Sequence, residues 1–346
     1  MPCSVLRLCK KCHQMQIYLH LVHIPRVESP RVQLPPGFGI IRGKMFTPSY
    51  VEMRRNGELH ERLEAAYRLM TPECGLCPRC CGIDRLAGQS GVCRTGPLPF
   101  VSSYGPHFGE EPPLVGHNGS GTIFFGNCNF ECIFCQNYDI SQEGAGREVS
   151  IEDLADMMLD LARRGCHNVN WVSPTHQLPQ ILSALEVAAE SGLDIPIVYN
   201  CGGYEPVEVL SILDGIVDIY MPDAKYGSNE VGMELSGVPD YWDRNREALR
   251  EMHSQVGDLE TDERGIAQHG LLVRHLVLPD DLAHTGEVMR FIATEISRDT
   301  YVNIMDQFRP AYKAVGHPVL GRRISAEEYA EALEIARSEG LHRFAD

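Results

Sequence analysis

Cys128, Cys132 and Cys135 follow one another in Gly126-Asn127-Cys128-Asn129-Phe130-Glu131-Cys132-Ile133-Phe134-Cys135-Gln136-Asn137. Three thiolates so close in the chain can bind three corners of an iron–sulfur cube, for which Cys is the usual ligand. No fourth Cys follows in this segment, so one corner stays open, as a catalytic zinc keeps one position free for chemistry. A zinc-binding loop or buried structural thiols are the plainer alternative. A second group, Cys74, Cys77, Cys81 and Cys93, has the spacing Cys-x2-Cys-x3-Cys-x11-Cys once Cys80 is set aside. Four soft ligands on Gly- and Pro-containing turns suit zinc or a second iron–sulfur cluster equally well. Cys166 and Cys201 are isolated and read as small buried apolar residues.

The chain that carries these groups has 346 residues, enough for one large domain or two small ones. Its thirteen cysteines are odd in number and clustered, which argues against a secreted disulfide framework and for metal in a reducing, cytoplasmic setting. Lys and Arg total 31 against 47 Asp and Glu, a formal net charge of −16. Such a charge repels phosphate backbones and anionic lipid, so neither nucleic acid nor a membrane surface is an expected partner. No stretch approaches the roughly 18 apolar residues of a transmembrane helix.

The elements that must position the cysteines come next. Residues 1–44 show no sustained period and read as an irregular or disordered extension, with Met45 as an alternative start. Cys9-Lys10-Lys11-Cys12-His13 matches a haem-attachment pattern, but that chemistry needs an export signal and none is visible. Residues 45–118 then read as an N-terminal helix over 50–70, the cysteine-rich module, and a Pro/Gly-rich loop over 96–119. From residue 119 onward, short apolar strands alternate with amphipathic helices. The strands are expected at 122–125, 169–172, 195–199, 216–220, 271–278 and 301–305, with capping boxes at Ser150/Asp153 and Ser325/Glu328. This alternation predicts an α/β fold with a parallel sheet covered by helices. In it the cysteine triplet leaves the C-terminal end of the first strand, where barrel active sites lie.

The triplet, with an aromatic before its last Cys, resembles the loop of the radical S-adenosylmethionine (radical SAM) superfamily. Within it, Cys135-Gln136-Asn137-Tyr138-Asp139 is similar to the pyruvate formate-lyase activating enzymes. A resemblance to a bacterial branch related to those activases covers about residues 45–340. It includes Glu110-Glu111-Pro112-Pro113, Gly119-Ser120-Gly121, Ser173-Pro174-Thr175-His176 and Met221-Pro222-Asp223-Ala224-Lys225. The resemblance implies a partial (β/α)6 TIM-like barrel with an N-terminal helical, cysteine-rich extension. It also implies a [4Fe-4S] cluster on Cys128, Cys132 and Cys135 that chelates S-adenosylmethionine through its unique iron. One electron, from a donor such as flavodoxin or ferredoxin, would cleave the sulfonium to a 5′-deoxyadenosyl radical, which abstracts hydrogen from a substrate. In the N-terminal module the resemblance aligns Cys74, Cys77, Cys81 and Cys93 and leaves Cys80 variable.

Cofactor contacts are expected at the later strand ends. Superfamily members carry Gly-Gly-Glu after the second strand to hold the methionine amino group; here Ser173-Pro174-Thr175-His176 stands instead. Ser173, Thr175 and His176 offer polar contacts but no carboxylate, and His176 is equally readable as a capping or surface residue. Asn200 ends the third strand. Asp223 and Lys225 match the Asp-x-Lys of the activases, where an ammonium near the methionine carboxylate would steady it. Arg274 and His275 are neighbours in one strand, so one faces the barrel interior. An inward Arg274 needs a partner, either a cofactor carboxylate or an acid of a neighbouring strand. Asp306, Gln307 and Arg309 are placed by position alone at the substrate end. The leading reading is therefore a radical SAM enzyme that activates a glycyl-radical enzyme. Radical modification of another protein or a small molecule is the alternative, and a non-catalytic iron–sulfur or zinc protein in electron transfer or assembly comes from a different class.

Overall fold

The computed structural model describes residues 46–345. The expectations for residues 1–44, for the haem-like Cys9–His13 pattern and for a start at Met45 lie outside the described residues.

Two helices come first, α1 (Ser49–Asn56) and α2 (Glu58–Met70). A single helix was expected here. Gly57 divides it, because its φ of +88° is a left-handed conformation that ends one helix and starts the next. Leu59, Leu63, Ala66 and Met70 of α2 are buried, the stripe that their spacing predicts. The Tyr50 hydroxyl donates to the Ile195 carbonyl at 2.9 Å and so anchors α1. Residues 71–99 hold the first cysteine group without regular structure.

Strand β1 (Phe100–His107) replaces the loop expected over 96–119. Phe100 to Tyr104 is a run of β-compatible residues between Pro99 and Pro106, and Pro106 sits opposite Gly121 near the end of the pairing with β2 (Ser120–Phe125). Proline is tolerated at such an edge. After α3 (Pro112–Val115), β2 and α4 (Tyr138–Ser141), the two-residue β3 (Arg147–Glu148) pairs with the far side of β1.

The rest alternates. It runs α5 (Ile151–Arg163), β4 (Val169–Val172), α6 (Leu178–Glu190), β5 (Ile197–Cys201), α7 (Val207–Leu213), β6 (Ile219–Pro222), α8 (Asn229–Ser236) and α9 (Tyr241–Val256). Then come β7 (Glu260–Thr261), β8 (Ala267–Leu276), α10 (Thr285–Phe291) with a π-helical turn to Ile296, β9 (Tyr301–Met305), α11 (Ala326–Ser338) and β10 (Arg343–Phe344). Strands β2, β4, β5, β6, β8 and β9 pair in that order and all in parallel. These are the six strands read from the sequence, with β5 and β6 displaced two or three residues toward the C-terminus. Every residue of β5 and β6 is buried, as expected when helices cover one face and the barrel interior the other. The fold is an α/β partial (β/α)6 barrel, an unclosed sheet extended beyond β2 by antiparallel β1 and the short edge strand β3. Both capping boxes form as expected, at Ser150/Asp153 and Ser325/Glu328, each stabilising its helix by roughly 1 kcal/mol.

Four apolar clusters are buried among the described residues, and two of them bear most on the site. The larger lies between sheet and helices around Trp171 and Leu182. The second is aromatic, with Phe130, Phe134, Tyr204, Tyr226, Tyr241 and Phe308. Phe130 and Phe134 belong to the cysteine triplet, so this second core holds that loop in place.

Candidate functional site

The triplet loop leaves β2 through Asn127, which adopts a left-handed φ of +66°. Glu131 and Ile133 donate their amides to the Ser236 and Leu235 carbonyls at the end of α8, at 3.1 and 2.9 Å. Phe130 sits so close to Gly202, just after β5, that a Cβ there would meet its ring at 2.3 Å. The loop is therefore fixed by backbone bonds on one side and by ring packing on the other. The Ser236 hydroxyl lies 2.9 Å from Cys132 Sγ, and the Ser141 hydroxyl 3.1 Å from Cys135 Sγ. The Phe130 amide donates to Cys128 Sγ at 3.4 Å. Burial, and then the nearby Cys132, pushes the Cys128 thiol up to about 12. A bare thiol here stays protonated, so binding a metal must release protons.

Beside the triplet, side chains from several strand ends converge. Lys225 Nζ is 2.5 Å from Asp223 Oδ2 and 5.6 Å from the centre of the Phe130 ring. Arg274 points into the barrel, donating from Nε to Asp223 Oδ1 at 2.9 Å and from Nη2 to Asn200 Oδ1 at 2.6 Å. His275 points the other way, to the Ala224 carbonyl and the Thr285 hydroxyl. Burial works against charge on Asp223, but Arg274 and then Lys225 outweigh it and hold its carboxyl below the ordinary range. Arg274 is thus paired by an acid of a neighbouring strand end, one of the two partners expected for it. A third contact comes from Glu110, whose Oε2 lies 3.8 Å from Arg274 Nη1. Burial pushes the Glu110 carboxyl up to about 7 despite that cation. Its neighbour Glu111 accepts from Asn303 of β9 at 2.9 Å.

The sequence matches the radical SAM superfamily over residues 122–260. Two proteins of Methanocaldococcus jannaschii are similar. MJ0674, an uncharacterised protein, is 35% identical over 277 residues, 78% of this chain and 75% of its own. MJ0808, also uncharacterised, is 23% identical over 270 residues, 71% and 73% of the two chains. The chain belongs to the radical SAM superfamily. Members of this superfamily carry a [4Fe-4S] cluster and S-adenosylmethionine, accept one electron from a donor, and carry out radical chemistry. Among the described residues, no helix is long and apolar enough to cross a membrane.

In this radical SAM chain the residues after β4 part company. Ser173, with a left-handed φ of +57°, donates its amide to the Asn200 carbonyl at 2.8 Å. The Thr175 hydroxyl donates to Glu205 Oε1 at 2.8 Å, and Glu205 Oε2 is buried without a partner. Burial pushes the Glu205 carboxyl up to about 7. His176 is buried; its Nε2 donates to the Gly126 carbonyl at 3.0 Å, and burial pushes the imidazole down to about 4. His176 lines a cavity together with Cys74, Cys77, Cys81 and Cys93. Asp306, Gln307 and Arg309 are exposed, and the Gln307 carbonyl accepts from Gln136, the residue after Cys135, at 3.2 Å. Reading the sequence missed Glu205 and left Glu110 and Asn303 without a role. Glu110 stood in a motif already noticed, whereas only the path of the chain after β5 reveals Glu205.

Proposed function

We propose that Cys128, Cys132 and Cys135 hold the [4Fe-4S] cluster of this radical SAM protein, and that S-adenosylmethionine binds beside them along Asn200, Asp223 and Lys225. The observation that carries the reading is the triplet's position. Three thiols, with no fourth in their own loop, lie at the C-terminal end of the first barrel strand, beside a buried Lys–Asp–Arg network. The donor set fits the group: three soft ligands, two hydroxyls within reach of the sulfurs, and a nearby cation to offset thiolate charge. When bound, the cluster and S-adenosylmethionine supply the radical that abstracts hydrogen.

The chain's own residues do the positioning. Lys225 presents the cation for the methionine carboxylate, and Arg274 holds Asp223, and through it Lys225, in place. Glu205, fixed by Thr175, provides the carboxylate missing from the Ser173–His176 segment, its unpartnered oxygen taking the methionine amino group. Phe130 and Phe134 keep water away from the loop's base.

The substrate class in this reading is a glycine backbone of a partner glycyl-radical enzyme. The similarity of Cys135–Asp139 and of Met221–Lys225 to the activases supports it. The test is anaerobic reconstitution with iron and sulfide, reduction by dithionite, and quantification of 5′-deoxyadenosine from S-adenosylmethionine. Formation of 5′-deoxyadenosine that disappears when the three cysteines are replaced is expected; its absence from the iron-loaded parent overturns the reading. Electron paramagnetic resonance of an added glycyl-radical enzyme then decides the activase role, with a glycyl radical expected.

A further inference from the structure

Cys74, Cys77, Cys81 and Cys93 line a single cavity, and none of them is in a disulfide. Their loop is tightly turned: Cys74 donates its amide to the Ile83 carbonyl at 2.8 Å and accepts from Gly82 at 3.3 Å. At Gly91 a Cβ would lie 2.8 Å from Cys81 Sγ, so the chain passes this sulfur only as glycine. Four thiols alone would make a small apolar pocket. The rest of the lining does not suit one.

Arg85 is fully buried there, and its guanidinium donates only to carbonyls: Thr95 at 2.9 Å, His176 at 2.6 Å and Gly96 at 2.9 Å. No carboxylate among the described residues pairs with it. Burying an unpaired cation is strongly unfavourable, so a counter-charge belongs nearby. Three more lining residues carry a buried polar atom without a hydrogen-bond partner: Asn129 Nδ2, His176 Nδ1 and Arg79 Nη2, the last with the Glu131 carboxylate 3.9 Å away as its ion pair. Two of these three are donors. Thiolates bound to metal would supply both the negative charge and the acceptors.

Zinc and iron–sulfur place their sulfurs differently. Zinc gathers four thiolates within about 2.3 Å of one ion. An iron–sulfur cube gives each thiolate its own iron and spreads the four apart. Among the described residues, no three Cys, His, Asp or Glu side chains converge as a single ion requires.

We propose that Cys74, Cys77, Cys81 and Cys93 bind a second iron–sulfur cluster, with all four corners held by the protein and Arg85 as its buried counter-charge. Asn129 joins the two sites: it follows Cys128 in the triplet loop and lines the second cavity. His176 then belongs to this second site. The proposal stands independently of what the triplet binds.

The test uses the full chain with Cys128, Cys132 and Cys135 all replaced by Ala, which leaves the four-cysteine site intact. After anaerobic reconstitution, iron, sulfide and zinc are measured, with Mössbauer and electron paramagnetic resonance spectra. About four irons and four sulfides per folded chain are expected, in a cluster whose spectrum does not change when S-adenosylmethionine is added. Stoichiometric zinc in place of iron, neither metal in a folded chain, or a spectrum that responds to S-adenosylmethionine overturns the proposal. Cys74→Ala/Cys77→Ala is the reciprocal variant, expected to drop from about eight irons to about four. Unchanged iron in this variant also overturns the proposal. Failure of the triplet reading shows differently, as unchanged iron in the triple variant.

Discussion

The two cysteine sites of this molecule differ in what surrounds them. The triplet has three thiols, serine hydroxyls beside two of its sulfurs, and an acid–base network drawn from β5, β6 and β8. The N-terminal site has four thiols, a fully buried Arg85 with no carboxylate beside it among the described residues, and buried polar atoms on Asn129 and His176 without a hydrogen bond. In the reading proposed above, the first meets a ligand that arrives and leaves, and the second encloses a cluster that stays. On that reading, ligand count alone does not distinguish a working centre from a supporting one. The neighbouring charges do: a paired, adjustable network in the first case, an unpaired fixed charge in the second.

The largest effect that can break this contrast is at Cys135. Cys135→Ala is expected to abolish reductive cleavage of S-adenosylmethionine, by at least about 100-fold, while circular dichroism shows a folded barrel. Equal loss of cleavage in Cys77→Ala with the triplet's iron retained would show that both sites act in the same chemical step. Next comes Lys225→Met. Removing the cation is expected to lower 5′-deoxyadenosine formation about 10- to 100-fold and to weaken S-adenosylmethionine binding in calorimetry, with Lys225→Arg partly restoring both. Iron content should stay at the parent level.

A smaller effect sharpens the link between the sites. Arg79 donates from Nε to the Asn129 carbonyl at 2.9 Å and from Nη1 to the Gly237 carbonyl at 2.6 Å. Arg79→Ala is expected to cost about 1.5–3 kcal/mol in thermal or denaturant unfolding. A change below about 0.5 kcal/mol would show that the two loops are held independently. The smallest effect concerns pH. The Glu110 carboxyl is raised by burial to about 7 in the folded chain, so the proton it holds contributes stability below about pH 4.5 that is lost as pH rises through about 7. Glu110→Gln should remove that loss and unfold about 2 °C higher than the parent at pH 8, with little difference at pH 4.5. Identical melting curves at pH 8 would place Glu110 in a more solvated setting than its contact with Arg274 implies.

Much of this fold was legible in the sequence because parallel strands covered on both faces must be short apolar runs, and β4, β5, β6 and β9 are such runs. β1 was not, because Pro99, Pro106 and the glycines around it mask a strand that exists only by pairing with β2. Likewise, helical spacing runs straight through Gly57, where only the backbone shows a break. At the site, Asn200 and Asp223 were readable as polar residues at the ends of apolar strands, and Arg274 as one of two neighbours within a strand that face opposite ways; the three do meet. Glu205 and His176 were harder. His176 lies in a three-residue 3-10 helix and Glu205 in the irregular segment after β5, where no periodicity says which way a side chain faces, and Glu205 reaches Thr175 only across two strand ends.

The strand order also sets a timetable for synthesis. Each barrel strand pairs with a neighbour made shortly before it, so the sheet can grow as the chain leaves the ribosome. The four-cysteine segment emerges early, yet Arg85 must wait for the His176 carbonyl and Arg79 for that of Gly237. The first site to be translated is therefore among the later ones to be locked. If the four thiols bind metal as proposed, metal delivered during translation would meet them in an open loop and be sealed in only after the barrel is more than half built.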